Sequence, residues 1–243
     1  MGDVVPAGRG FVLIGPGAAF GTQLLRRFAA EGFELGVVAR SDDTVTRVGD
    51  ELDTSGIKVL GEVADVTDAA ATGRALDRLG VGLGGLTCVV YNAKLSIRGA
   101  ALGTSPETLA ATLAVNVTGA FAAVTAATAL LEGRPDATIL VTGGGPRGPG
   151  LGDGGRFALS VGKAALGAMT DSLAPPLRRR GIRLRTVELA APVGPDGPLR
   201  PDAVAEFFWQ AFAASQGTRF RLTPPRRRAQ LAFDESAETS GDT

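Results

Sequence analysis

Residues 10–28 read GFVLIGPGAAFGTQLLRRF, and they decide the fold. Phe11 to Ile14 form an unbroken apolar run of strand length, after which Leu24, Leu25 and Phe28 recur at helical spacing. A strand apolar on both faces must be covered on both sides, as a central strand of a parallel sheet is. Between the two periods lie Gly15, Gly17 and Gly21, with Phe20 inside the same loop. Glycine turns most freely here, because φ above zero costs it no Cβ clash. The helix that follows begins with unpaired N–H groups and the positive end of its dipole. At the first turn of an alternating strand–helix series, that combination is a cradle for a dinucleotide pyrophosphate.

Outward from this unit the alternation repeats. ELGVVA (34–39), IKVLGEV (57–63), LTCVVY (86–91), ATILVT (137–142) and IRLRTVEL (182–189) are rich in Val, Ile and Leu. Helical patterns fall between and after them, at about 18–31, 43–53, 68–79, 106–131 with a break, 157–180 and 202–214. Six strand-then-helix units predict the α/β class, a doubly wound parallel sheet with helices on both faces. Right-handed crossovers then bring the strands' carboxyl ends to one edge, where such sheets bind ligands. RFRLTPPRRR (219–228) suggests a short extra strand. We expect one domain over 1–243, with disordered tails at about 1–8 and 234–243.

Composition narrows the function. Lys plus Arg equals Asp plus Glu, 25 against 25, so no global field draws nucleic acid or an anionic membrane; the expected partner is a small molecule. The chain has no histidine, which removes imidazole-based zinc sites and Ser-His-Asp or Cys-His hydrolysis; no metal site is expected. Cys88 is the only cysteine, so there is no disulfide framework. The start MGDVVPAGRG has acid and proline where a secretory leader needs a basic start and an apolar core, and a cytoplasmic protein is expected. Leu109 to Leu131 carries no charge and is long enough to span a bilayer, yet contains Asn116 and four threonines. It is read as a helix buried on most sides, against the sheet or a partner subunit of a homodimer or homotetramer.

The second strand ends in VVAR. An acid there would bind a ribose 2′-hydroxyl, whereas Arg40 followed by Ser41 offers donors to a 2′-phosphate, favouring NADP over NAD.

From Phe11 to about Phe212 the chain resembles the short-chain dehydrogenase/reductase superfamily, whose fold is of the Rossmann type. Gly15, Ala19 and Gly21 fall on that family's glycine motif, with Ile14 where its threonine is usual. ADV (64–66) resembles its acidic motif, which implies Asp65 and Val66 near the adenine. YNA (91–93) is similar to its Asn-Asn-Ala-Gly turn, implying that Asn92 and Ala93 line the cofactor, with Tyr91 and Lys94 at the ends. Asn116 in AVNVTG falls on the family's active-site asparagine, and Lys163 on the lysine of Tyr-x-x-x-Lys, which implies contact with the nicotinamide ribose.

Two groups of that machinery are missing. The tyrosine position is Leu159, and the serine position falls at or near Gly143 and Gly144. A positioned general acid or base contributes about 10² to 10⁴ in rate, or about 3 to 5 kcal/mol of barrier. Proximity alone can contribute roughly 7 to 11 kcal/mol, so the loss slows hydride transfer without forbidding it. Lys163, Ser160, Thr142, Asp153 or a bound water could handle the proton instead. The family's Pro-Gly after the sixth strand also departs, to ELAAPVG (188–194). Together these features look like a divergent branch that lacks the tyrosine as a group. Three functions share the nucleotide site: an NADP(H)-dependent oxidoreductase with an unconventional proton donor, a nucleotide-binding regulator or scaffold, and a cyclase, lyase or isomerase.

Overall fold

The computed structural model describes residues 8–18, 20–144 and 155–224. Residues 1–7 and 234–243 of the expected tails, Ala19 and Asp153 lie outside the described residues. Seven strands form one parallel sheet in the order β3-β2-β1-β4-β5-β6-β7. They are β1 (Gly10–Ile14), β2 (Glu34–Ala39), β3 (Val59–Val63), β4 (Leu86–Tyr91), β5 (Thr138–Gly143), β6 (Arg183–Leu189) and β7 (Arg219–Leu222). The last is the extra strand suggested by RFRL.

Alternation along β1 builds two cores. Val12 and Ile14 pack with Leu76 and Leu79 of α3 (Ala69–Gly82), Val124 and Ala127 of α5 (Gly119–Leu131) and Leu166 of α6 (Phe157–Arg179). Phe11 and Leu13 enter the opposite core, with Leu24, Leu25 and Phe28 of α1 (Gly21–Ala29), Val48 and Leu52 of α2 (Asp42–Asp53), and Phe208 and Phe212 of α7 (Pro201–Ala213). Both faces being covered is why the central strands read as continuous apolar runs. The edge strand β3 lacks that cover, and its Leu60 and Val63 are about half exposed.

The aromatic residues of α7 serve the second core. Phe28 stacks on Phe11 at 4.1 Å between centroids and meets Trp209 and Phe212 edge-on at 5.4 and 5.6 Å. Phe208 packs on Phe20 of the glycine loop at 5.7 Å. The far end of α7 is closed by Arg185, a buried guanidinium on β6 that donates to the carbonyls of Ala211, Phe212 and Ala214. A cation at a helix C-terminus satisfies carbonyls that no N–H reaches.

The uncharged segment is broken as expected, into α4 (Pro106–Leu113), a π turn at Ala114–Thr118, and α5. Within one chain, 33% of its most apolar stretch is buried. It lies along the sheet and packs one stripe inward, Ala120, Ala123, Val124, Ala127 and Leu131, while the outer stripe, with Phe121 half exposed, is open.

Candidate active site

Strand order reverses between β1 and β4, so the crossovers leaving them diverge and open a crevice beyond their carboxyl ends. A cavity of about 390 Å³ lies there. Its floor is the glycine loop. Gly15 has φ of 77°, and a Cβ on it would stand 2.6 Å from Ala93 Cα. A Cβ on Gly21 would stand 2.0 Å from the Pro16 carbonyl oxygen. Gly17 is required only by its φ of 59°, since the nearest atom to such a Cβ is Asn92 Nδ2 at 3.9 Å. Asn92 staples the two loops: its N–H donates to the Ile14 carbonyl at 2.9 Å and its Nδ2 to the Gly15 carbonyl at 2.7 Å.

One end of the cavity carries the groups expected around an adenosine. Arg40 is exposed at the end of β2, and Ser41 precedes α2 with its Oγ 3.0 Å from Thr44 Oγ1. Thr44 lines the cavity, and Arg47, one turn further, donates to the Gly17 carbonyl at 3.3 Å and pairs with Glu51. Asp42 and Asp43 occupy the first turn of α2. Asp65 and Val66 line the wall beyond β3. The Asp65 carboxylate accepts from Thr67 N–H at 2.8 Å and Thr67 Oγ1 at 2.7 Å; those bonds, helped by the Arg40 charge, hold it below the usual carboxylate range.

At the other end, Lys94, Leu95 and Val115 line the cavity. Lys163 lies on the inward face of α6, buried, and donates from Nζ to the Thr142 carbonyl at 2.5 Å. Burial first, and the charge of Lys94 second, lower its pKa to about 8. Leu159 sits one turn earlier on the same face, also buried. Asn116 is buried in the π turn, and its carboxamide makes a two-way bond with Leu95, each at 2.9 Å. That side chain therefore positions the loop after β4.

Tyr91 does not reach the cavity lining. Its hydroxyl donates to the Val115 carbonyl at 2.5 Å, inside the π turn, where helical pairing is interrupted. Burial raises its pKa, and its role is to complete the turn that carries Asn116.

The glycines at the serine position are fitted to their places. A Cβ on Gly143 would stand 2.5 Å from Thr186 Cγ2, and Gly144 has φ of 89° with the Leu189 carbonyl oxygen 2.4 Å from where a Cβ would be. Of the other proton-handling candidates, Ser160 Oγ donates locally to the Arg156 carbonyl at 3.2 Å. The Thr142 hydroxyl is buried and has no hydrogen-bond partner among the described residues. β5 alternation explains this: Thr142 pairs in register with Val187 and shares the face of Leu140, away from α6.

Residues 11–193 match the family model of the short chain dehydrogenases. The chain belongs to this family. The short-chain dehydrogenase/reductase eriH of Hericium erinaceus is 28% identical to it over 236 residues, 94% of this chain and 90% of that protein. The inactive 2-(S)-hydroxypropyl-CoM dehydrogenase 2 of Xanthobacter autotrophicus is 32% identical over 165 residues, 68% of this chain and 69% of that protein. A short chain dehydrogenase from Burkholderia cenocepacia, solved in complex with NADP, superposes with a TM-score of 0.78 over 88% of this chain and 96% of its own, at 24% identity. This short-chain dehydrogenase thus has the fold and oxidoreductase ancestry implied by its glycine loop. Sequence reading missed Thr44, which lines the cavity from the first turn of α2, and Arg47, which holds the Gly17 carbonyl of the loop, and did not assign Lys94 to the cavity.

Proposed function

We propose that this short-chain dehydrogenase binds NADP(H) and transfers hydride to or from a carbonyl or alcohol substrate, with Lys163 handling the proton. The carrying observation is one cavity at the switch point of the sheet, lined by the glycine loop, Arg40, Thr44 and Asp65, with Ser41 hydrogen-bonded to Thr44 and a buried lysine, Lys163, held on α6 by the Thr142 carbonyl. The residues fit a dinucleotide, since Gly15 and Gly17 line the cavity ahead of α1 and the position a Cβ would take on Gly17 is open, so a ligand can approach the loop backbone. Arg40 and Ser41 would hold a 2′-phosphate, the loop amides the pyrophosphate, Asp65 and Val66 the adenine, and Lys163 the nicotinamide ribose. When bound, the nicotinamide supplies or accepts the hydride.

The chain's own part is to orient, to exclude water and to move a proton. Leu95 and Val115 line the end we assign to the reaction with apolar side chains, and Leu159 is buried one turn from Lys163. With a pKa near 8, the Lys163 ammonium is mostly charged at neutral pH and can give a proton to the oxygen of a carbonyl being reduced, or recover it in reverse. The contacts of Gly143 with Thr186 and of Gly144 with Leu189 support reading Leu159 and the glycines as one coherent departure, a branch without the tyrosine and serine.

A second reading is a nucleotide-binding regulator, favoured by the two missing groups and by the relative named inactive. We also assign the open stripe of α5, including Phe121, to contact with a second copy, giving a homodimer or homotetramer; sedimentation equilibrium tests this.

Titration with NADPH and NADH, followed by reduced-nicotinamide fluorescence, tests the nucleotide site; NADPH is expected to bind at least about tenfold tighter. Stoichiometric NADPH oxidation across a panel of carbonyls then separates the enzyme from the regulator. Binding without turnover of any carbonyl overturns the first reading in favour of the second.

A further inference from the structure

We propose that the cleft at the amino ends of β6 and β7 is a second binding site, for a small polyanion bearing carboxylate or phosphate groups. It lies at the opposite end of the strands from the nucleotide crevice, and it stands whether or not the nucleotide reading does.

The cleft exists because the sheet opens there. Along β6, successive residues turn their N–H groups to alternate sides: Arg183 donates to the Ala137 carbonyl at 2.9 Å, and Thr186 to the Thr218 carbonyl at 2.8 Å. Leu184 faces the same side as Thr186, but β7 begins at Arg219, opposite Thr186, and no hydrogen bond joins Leu184 to the 215–218 loop. The N–H of Ile182, the next residue back on that side, is taken by the Leu177 carbonyl at 3.0 Å. One rung is therefore left open, and beside it lies a cavity of about 630 Å³ that Leu184, Ser215 and Thr218 help to line. That volume is in the range of small-molecule sites.

Three arginines line this one cavity, Arg178 near the end of α6 and Arg183 and Arg185 on β6, against one acid, Asp171. Asp171 is held by Arg219, through Nε at 2.9 Å and through Nη2. Arg183 is answered by Asp136 at 3.3 Å. Among the described residues no carboxylate pairs with Arg178 or Arg185. Arg185 is 2% exposed; its Nη atoms donate to the carbonyls that close α7, and its Nε–H has no acceptor. Burial first, and the charge of Arg183 second, lower its pKa to about 10. Arg183 spends Nε and Nη2 on Thr138 and Asp136, leaving Nη1, while the exposed Arg178 fork is wholly unspent among the described residues. An anion in the cleft would accept charge-assisted bonds from these donors and offset the buried Arg185 charge, which carbonyl dipoles answer only in part. A neutral ligand would leave that charge as it is. The acidic end of the chain, with Asp234, Glu235, Glu238 and Asp242, is another source of carboxylates. An extended segment adds to a sheet through successive rungs, and here one is open, so a compact ligand fits better.

The test is calorimetry of the full chain with citrate and with inorganic phosphate, at constant ionic strength so that general screening does not change. At least one of the two should bind with Kd of about 1 mM or tighter. Arg178→Glu, a change at an exposed position, should weaken that binding at least about tenfold, while Arg40→Glu, at the nucleotide crevice, should change it by less than about twofold. If neither anion binds, or if Arg178→Glu binds as the native chain does, the proposal is overturned. Binding lost in Arg40→Glu and kept in Arg178→Glu places the anion at the glycine loop and also overturns it. A chain ending at Phe233 that binds at least about tenfold more tightly than the full chain makes the acidic end the occupant, and the free-ligand proposal falls.

Discussion

The Lys163 ammonium lies 2.5 Å from the Thr142 carbonyl oxygen, a bond that ties helix α6 to the end of β5. A buried cation answered by a carbonyl instead of a carboxylate remains poorly compensated, because a dipole offsets less of the lost hydration than a full charge does.

That deficit has a defined pH window. Below pH 8 the amine is charged in both folded and unfolded chains, and folding carries the cost of burying the charge; above pH 10.5 it is neutral in both. Stability contributed at this position should rise between those values, by about 3 kcal/mol. Lys163→Met is expected to be more stable than the native chain by up to about 3 kcal/mol at pH 7, with the gap closing by pH 10.5. Urea unfolding at both pH values checks it. A variant less stable at pH 7 would show that the Thr142 bond outweighs burial.

Leu159→Tyr places a phenol one turn from Lys163 on the same helical face. If Lys163 now works without one, turnover of a carbonyl by NADPH should rise by at least about tenfold, within the range a positioned acid contributes. Overpacking the buried site should cost about 1 to 3 kcal/mol. Gly144→Ser, by contrast, should lower stability without raising turnover, since its φ of 89° and the Leu189 carbonyl leave no place for the side chain. Steady-state rates and melting curves for both variants settle the comparison.

The glycines should differ in importance. Gly21→Ala drives a methyl into the Pro16 carbonyl and should distort the loop, reducing NADPH affinity by at least about tenfold. Gly17→Ala meets open space and bears only the left-handed backbone, at about 1 to 2 kcal/mol. Equal losses in the two variants would show that dihedral freedom, not crowding, governs the loop.

Arg40→Glu should exchange the nucleotide preference, weakening NADPH by about tenfold or more and leaving NADH unchanged or improved. Arg47→Ala, which frees the Gly17 carbonyl, should weaken both nucleotides together. Fluorescence titration distinguishes a lost phosphate contact from a loosened loop.

Two buried hydroxyls give opposite expectations. Tyr91→Phe strips the Val115 carbonyl of its donor inside the π turn and should destabilise by about 1 to 3 kcal/mol. Thr142→Val replaces a hydroxyl without a described partner by a methyl group of similar shape and should be neutral or stabilising. A marked loss in Thr142→Val would reveal a partner for that hydroxyl.

Much of this was legible from local pattern. The strands at 34–39 and 86–91 coincide with β2 and β4, because residues buried on both faces leave an unmistakable apolar run. The edge strand was read two residues too long at its start, since Ile57 and Lys58 continue a β-rich composition where sheet pairing has not yet begun. In the cavity, the glycine loop and Arg40 were readable because a strand-to-helix turn reports itself in consecutive residues. Arg47 and Thr44 were not, since a helix pattern does not reveal which of its polar residues lean back over a loop some thirty positions earlier.

By itself, then, the order of residues determined the parallel doubly wound architecture, the glycine loop at its first strand-to-helix turn, the absence of imidazole chemistry and a leucine, Leu159, one turn before Lys163. Tertiary structure alone decided that Gly143 abuts Thr186, that Tyr91 completes a π turn, and that Lys163 is buried with the Thr142 carbonyl as its acceptor. The reason is range: hydrophobic period and turn chemistry act between near neighbours in the chain, whereas crowding, burial and charge repulsion depend on which distant segments the packed sheet brings together.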